Sequence, residues 1–425
     1  MSSIQIKDSL HNGKKTSLYI EDGLISEIGK KHDADETIEA DGKAIFPGLV
    51  NTHTHAAMTL MRGYADDLPL QDWLSKHIWP LEAKLTEYDV YWGTKLACLE
   101  MIKTGTTCMN DMYWFFDGAY KAAEESGIRA VLSQVFIDMN DPERAEKEKK
   151  LNEKIVSKYG GKNPNIKVAI SPHAVYTVSK ESLKWCAEYS KEKNLLLHTH
   201  LSETEQEVKD CLKQYGATPT KVLDECGLLN ERLMCAHGVW LGEDEKKLLG
   251  EKKVSIAHCS TSNKKLAVGG ALDYGGLAQA GVNVCVGTDG CASNNNLDMF
   301  EEIKISALLQ KHHFNDPTRL PAKKVLECAT INGAKALAYD GGIIREGAAA
   351  DIILINLRTP EMTPNHNFES NMVYSASGST VDTTIVAGKI LMKNRVVEGE
   401  AEILEKAGKA AANLARRKQH VASRK

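Results

Sequence analysis

Short apolar segments that each stop at a histidine or an aspartate recur through this 425-residue chain, and that regularity restricts the fold more than any other feature. The run 44–50 leads into Asn51-Thr52-His53-Thr54-His55 and reads as one strand ending in two histidines. Comparable segments lead to His173, to His198 and His200, to His237, to His258 and, through 282–288, to Asp289. Helix-like stretches separate them. Thr86-x-x-Asp89 has the form of a capping box opening a helix to about Lys103, and 180–192 and 297–311 also read as helices. Strands alternating with helical crossovers make a parallel sheet. In a (β/α)8 barrel the C-terminal ends of all the strands converge on one face, where active sites lie. An open doubly wound sheet gathers ligands only near its switch point and suits so many polar strand ends less well. The expected fold is therefore α/β, a (β/α)8 barrel over 47–340.

The first 46 residues are strand-turn-strand material, with a turn at Asp22-Gly23, and are too short to be stable alone. The segments 350–355 and 384–391 have the same character. The simplest arrangement is a small β-sandwich domain built from 1–46 and 341–400, with the barrel inserted in it. The stretch 401–425 is helix-permissive and ends in basic residues, which reads as a solvated terminal helix or tail. A formal net charge of −4 argues against a nucleic-acid-binding surface, and no apolar run reaches the roughly 18–20 residues of a membrane span. The N-terminus lacks the basic-then-apolar pattern of a signal peptide. Ten scattered cysteines without a C-x-x-C pair suggest reduced thiols in a cytoplasmic protein, and exclude the Cys-ligated zinc deaminase signature.

Residues two apart on a strand project to one face, so His53 and His55 can reach a common point. Neutral imidazole binds zinc and related ions at about 2.0–2.1 Å. A surface His pair is the alternative. His198 and His200 have the same spacing, so one can ligate while the other supports it. Asp289, in Gly287-Thr288-Asp289-Gly290, reads by itself as an Asx turn or helix cap. With His53, His55 and His200 it completes an N3O set with room for water, as in a catalytic metal site. Glu203, three residues beyond His200, either donates a proton once burial raises its pKa or serves as a first-turn acid of the next helix. The apolar stretch 58–79 follows the metal strand and reads as a loop and helix covering a pocket, or as packing against the barrel.

The runs PGLVNTHTHAAMTLMRGYADDLPLQDWL, HTHLSETEQEV, AHGVWL, HCSTSNKKLA and GTDGCASNNNLDMFEE together resemble the amidohydrolase superfamily. Within it they resemble the deaminases of 5′-deoxyadenosine, 5′-methylthioadenosine and S-adenosylhomocysteine, the archaeal 5′-deoxyadenosine deaminases above all. The likeness spans nearly the whole chain. It implies a (β/α)8 barrel with one divalent metal per subunit, zinc with iron or manganese as alternatives, held by His53, His55, His200 and Asp289. It implies that Glu203 protonates purine N1, that His237 is a base and proton shuttle, and that Glu82 and His173 contact substrate beside Glu203 and Asp289. Glu82 offers two acceptor oxygens to a ribose cis-diol; without the resemblance it reads as a solvated helix charge. His173 reads otherwise as a supporting histidine, and so does His258. Asp111 fits the family pattern without a physical role. The partner implied is a nucleoside, with no nucleic acid and no membrane, and the assembly a homo-oligomer, a tetramer by the same likeness.

Relatives favouring S-adenosylhomocysteine place an arginine where this chain has Gln134 and another where Arg144 can stand. Glutamine cannot replace a bidentate Arg–carboxylate pair, so substrates without that carboxylate are expected to be preferred. The competing readings are a guanine or cytosine deaminase of the same superfamily, and an inactive barrel that binds or scaffolds.

Overall fold

The structure, a computed structural model, describes residues 3–68 and 72–422. Five strands open the chain: β1 (Ile4–His11), β2 (Lys14–Glu21), β3 (Leu24–Ile28), β4 (Glu36–Glu39) and β5 (Lys43–Pro47). The barrel strands are β6 (Leu49–Thr54), β7 (Thr106–Tyr113), β8 (Arg129–Phe136), β9 (Ile166–Pro172), β10 (Leu196–Leu201), β11 (Leu233–His237), β12 (Ser255–His258) and β13 (Asn283–Val286). Strands β14 (Ile352–Asn356), β15 (Val381–Val386) and β16 (Lys389–Met392) follow.

Both ends of the chain build one sheet, ordered β16-β15-β14-β5-β1-β2-β3 with β4 beside β1. Its centre is the antiparallel β5–β14 pair, with Ile45 opposite Leu354. Ile6, Leu18, Ile20, Ile25, Ile352 and Ile385 are fully buried in its core. The single strand expected over 44–55 is in fact two. Lys43–Pro47 belongs to this sheet and Leu49–Thr54 to the barrel, with the break at Gly48. A Cβ on Gly48 would lie 2.1 Å from Thr107 Oγ1, so only glycine lets the chain cross between the sheets at this point. A buried ion pair ties the two sheets together: Arg129 Nε and Nη2 reach Asp351 at 2.7 and 3.1 Å.

The barrel strands run in sequence order β6 to β13, each parallel to the next. Nearly every strand residue is buried, as expected where helices cover one face and the barrel interior the other. Among the described residues no backbone ladder joins β6 to β13. The seam is closed by Asn51, whose amide donates to Thr288 Oγ1 (2.7 Å) and accepts from Thr288 N–H (3.0 Å), and by Thr52 Oγ1 donating to Val286 O (2.9 Å).

The helix Glu87–Lys103 begins with the capping box read from Thr86 and Asp89. The helices expected at 180–192 and 297–311 are Lys180–Lys193 and Met299–His313. The solvated terminal helix is a correction. Glu400–Ala422 is one long helix whose Ala407, Ala410 and Leu414 are fully buried in a cluster with Ala57, Met61, Trp73 and Leu81. Its Arg417 donates to the buried Asp89 at 2.6 Å, so the capping carboxylate also anchors the chain end. No helix among the described residues is long and apolar enough to cross a membrane.

Candidate functional site

The strand ends deliver their polar residues to one face. His53 is the penultimate residue of β6 and His55 lies just past its end; His200 is on β10 and His237 ends β11. Asp289 stands in the loop after β13, in a left-handed backbone conformation (φ 61°), with its N–H donating to His53 O at 3.0 Å. His53 Nε2 and His55 Nε2 are each 3.3 Å from Asp289 Oδ1, and His55 Nε2 is 3.3 Å from His200 Nε2. The ligating atoms of His53, His55 and Asp289 lie within 4.8 Å of one another, as do those of His53, His200 and His237.

The hydrogen bonds around this cluster fix which nitrogens face inward. His55 Nδ1–H donates to Met112 O at 2.7 Å and His200 Nδ1–H to His173 O at 2.8 Å, which leaves each Nε2 with a lone pair. His53 Nδ1 is 2.8 Å from His198 Nε2, so His198 is the supporting member of its pair, while His53 Nε2 is buried with no hydrogen-bond partner among the described residues. On Asp289, Oδ2 accepts from Ser262 Oγ (2.6 Å) and Ser293 Oγ (3.0 Å), so Oδ1 is the oxygen turned to the imidazoles. Burial lowers the His53 pKa to about 4 and holds His200 well below the usual imidazole range. Burial alone would raise Asp289, but His53, His55 and His237 hold it well below the carboxylate range. Neutral inward-facing imidazoles, an ionised carboxylate and an orphaned buried Nε2 are the donor set a divalent cation requires. A Cβ on Gly290 would meet Met58 Sδ at 2.6 Å and His55 Cβ at 3.1 Å, which explains the glycine after Asp289.

Glu203 is half-buried beside the cluster, its Oε2 3.8 Å from His237 Nε2. Burial raises the Glu203 pKa; burial pulls His237 down, but Glu203 and Asp289 outweigh it and raise that residue. The other His237 nitrogen is 2.9 Å from Asn263 Oδ1 and donates to it, so Nε2 is the atom turned to Glu203. A cavity of about 550 Å³ opens over these groups. Glu82, at the end of the short helix Trp79–Glu82, and His173 both line it, and burial pushes Glu82 up to about 7. Trp73, Leu74, Ile78 and Trp79 form an apolar wall, so much of the 58–79 stretch lines the cavity; residues 69–71 of it lie outside the described residues.

Some placements differ from the sequence reading. Gln134 does not line the cavity: it is buried, and its Oε1 accepts the N–H of Phe116 at 3.3 Å, while the next strand residue, Val135, faces the cavity. Arg144 does line it. His258 is buried away from the cavity, its Nε2 3.3 Å from the Gln310 amide nitrogen. Asp111 has a role after all, since its Oδ1 accepts Ala56 N–H at 2.7 Å and secures the turn after His55. Sequence reasoning missed Glu207. Its two oxygens accept the N–H groups of Ser202 (3.0 Å) and Glu203 (2.8 Å), and its signal was a second glutamate one helical turn after Glu203.

The fold and this site define a metal-dependent barrel hydrolase. The chain belongs to the Amidohydrolase family, whose profile matches residues 44–391. It is 56% identical over 396 residues (92% of this chain, 90% of the relative) to a 5′-deoxyadenosine deaminase of Methanoregula boonei. It is 50% identical over 407 residues (94% and 95%) to 5-methylthioadenosine/S-adenosylhomocysteine deaminase 1 of Archaeoglobus fulgidus. Among solved structures, an adenosine deaminase from Xanthomonas campestris with bound zinc superposes with a TM-score of 0.91 at 35% identity, covering 97% of this chain and 98% of that one.

Proposed function

We propose that this protein hydrolyses the 6-amino group of 5′-substituted adenosines, 5′-deoxyadenosine and 5′-methylthioadenosine foremost, to give the inosine derivative and ammonia. The observation that carries this reading is the Glu203–His237 pair, 3.8 Å apart, beside a His/Asp cluster on the floor of a cavity that also holds Glu82. His53, His55, His200 and Asp289 would hold one divalent metal, zinc by analogy with the Xanthomonas enzyme, with iron or manganese also compatible with the donor set. Such an ion lowers the pKa of a water from 15.7 towards roughly 7 and so supplies a nucleophile at neutral pH.

The chain's own groups do the rest. Glu203, whose pKa burial raises, donates to purine N1 and draws electrons from C6. Asp289 and His237 take the proton released as water adds to C6. That proton returns to the amino group, the C6–N bond breaks, and ammonia leaves; the C6 hydroxyl passes its remaining proton to the Glu203 carboxylate, so the oxygen becomes the inosine carbonyl, N1 keeps its proton and the acid is regenerated. The two oxygens of Glu82 accept the ribose 2′- and 3′-hydroxyls, and His173 borders the same space. Arg144 is the one lysine or arginine among the described lining residues, and Gln134 is committed to the helix at Phe116. One lining cation makes a weaker carboxylate clamp than two, which supports the preference for substrates without an amino-acid tail.

The same reading includes a barrel over 47–340 inserted in a β domain from 1–46 and 341–400, a homo-oligomeric (tetrameric) assembly and a cytoplasmic location. The ten cysteines, all buried and unpaired, accord with a reducing compartment. The test is ammonia release from 5′-deoxyadenosine, 5′-methylthioadenosine, S-adenosylhomocysteine and adenosine by metal-loaded protein, with Glu203→Ala as control. Turnover of the first two that vanishes in Glu203→Ala supports the reading. No turnover of any nucleoside overturns it, and a higher kcat/KM for S-adenosylhomocysteine overturns the preference.

A further inference from the structure

Tyr113 ends β7, in the tier of strand ends that carries the site, and its side chain lines the cavity. The residue is 3% exposed, and its hydroxyl is buried with no hydrogen-bond partner among the described residues. A phenol stripped of water and left unpaired carries a desolvation penalty, and such groups mark places where something else completes the bonding. Its ring centroid lies 6.2 Å from that of His55, which sets it beside the reacting end of the cavity. Glu82 is its carboxylate neighbour, near enough that the two perturb each other through charge and a hydrogen-bonding interaction, yet the phenol makes no hydrogen bond of normal geometry to it.

The chemistry of a ribose says what is missing there. A cis-diol has two O–H donors and two oxygens that accept. Ionised Glu82 can only accept, so it satisfies the donors and leaves the diol oxygens without a partner. We propose that Tyr113 is a further substrate-binding residue, whose phenolic O–H donates to one of the ribose hydroxyl oxygens that Glu82 engages. This rests on the nucleoside reading above and deepens it. Together Glu82 and Tyr113 present an acceptor and a donor to the same diol, a pairing that a free base or a non-nucleoside amine cannot use.

The test is Tyr113→Phe, which removes only the hydroxyl, assayed on metal-loaded protein with 5′-deoxyadenosine, 2′,5′-dideoxyadenosine and 3′,5′-dideoxyadenosine. The expected result is a loss of about tenfold in kcat/KM on 5′-deoxyadenosine, carried by KM, the size of one lost hydrogen bond. On whichever dideoxy analogue lacks the contacted oxygen, wild type and Tyr113→Phe should be alike. Equal losses on all three substrates overturn the proposal, because the hydroxyl then acts without touching the ribose. So does a variant indistinguishable from wild type on 5′-deoxyadenosine. Wild-type protein inert towards 5′-deoxyadenosine removes the functional reading and this inference with it, whereas turnover indifferent to Tyr113 removes the inference alone.

Discussion

Glu207→Gln tests whether the acid Glu203 is held in place by a second carboxylate. Glu207 is buried, and its carboxylate spans the N–H groups of Ser202 at 3.0 Å and Glu203 at 2.8 Å. Ser202 sits at φ 47°, a left-handed conformation that a non-glycine residue adopts at a cost of order 1–3 kcal/mol. Burial raises Glu207 to about 7, so at pH 8 it is mostly ionised and both bonds are charge-assisted. Glutamine has one acceptor oxygen, and its NH2 group would face the other N–H donor. One charge-assisted bond worth about 1.5–3 kcal/mol is lost, and a buried N–H is left unpaired at about 1–3 kcal/mol. The sum, about 2.5–6 kcal/mol, matches or outweighs the strain the carboxylate holds in place, so the loop relaxes and carries Glu203 off line. General acid catalysis contributes about 10²–10⁴-fold, so kcat should fall by roughly tenfold to a thousandfold, short of the Glu203→Ala loss. The assay is ammonia release at pH 8 with the best adenosine substrate, alongside bound-metal analysis and thermal unfolding. A Glu207→Gln enzyme within twofold of wild type, or one whose loss follows departed metal, would refute the argument.

Three further perturbations follow from the same geometry. Glu82 has its pKa raised by burial to about 7, and on the proposed reading its ionised form accepts the diol; kcat/KM should therefore rise as pH increases through about 7, and Glu82→Gln should abolish that ascending limb while raising KM. An ascending limb that survives in Glu82→Gln assigns the titration to another group. Arg129→Met leaves Asp351, 1% exposed, without its cation, and breaking a buried pair in this way costs about 3–5 kcal/mol. Unfolding in urea should show a correspondingly lower midpoint, and an unchanged midpoint counts against the pair as the link between the sheets. Removal of divalent metal by a chelator should lower the thermal midpoint, and zinc should restore it, since a ligand at 100 times its Kd adds about 2.7 kcal/mol to the folded state. A midpoint indifferent to both treatments is incompatible with a metal at this cluster.

What the sequence disclosed and what it hid have separate physical causes. Apolar runs with polar ends reveal the barrel, because strands buried on both faces must be apolar until they reach the open rim. Thr86 and Asp89 announce a helix start because a capping box is a local device. The break falls at Pro47-Gly48, a dipeptide that punctuates strands, but the apolar residues on both sides make 44–55 read as one strand, and only the proximity of Thr107 shows why Gly48 must lack a side chain. Gln134 stands where relatives have an arginine but does not line the pocket, because adjacent strand residues face opposite ways, and the choice between Gln134 and Val135 turns on a one-residue register that composition does not contain. The buried stripe Ala407, Ala410 and Leu414 has helical spacing, but its partner is the cluster around Ala57, Met61, Trp73 and Leu81, far earlier in the chain, which no local pattern can supply. Glu207 works through backbone N–H groups, and these leave no trace in side-chain motifs.

The His/Asp cluster sits where the barrel is least secured by its own backbone. Every other strand neighbour is joined by a ladder, while β6 and β13 meet through side chains and loop atoms. The residues on either side of that seam are the ones that also face the cluster. His53 O receives the Asp289 N–H, and Thr54 Oγ1 donates to Asp289 O at 3.0 Å, while the side chains of His53 and Asp289 converge from opposite banks. A cation bound there would replace the missing ladder with bonds to both banks, and to His200 directly across the barrel mouth. Closing the barrel and assembling the site are then one event, because neither His53 nor Asp289 can be positioned for chemistry until the first and last strands have met. That coupling explains why the seam is built from Asn51, Thr52 and Thr288, polar residues in a position where apolar ones would pack. Their hydrogen bonds fix the register of the two banks to within one residue, and a slip of one would turn His53 away from Asp289.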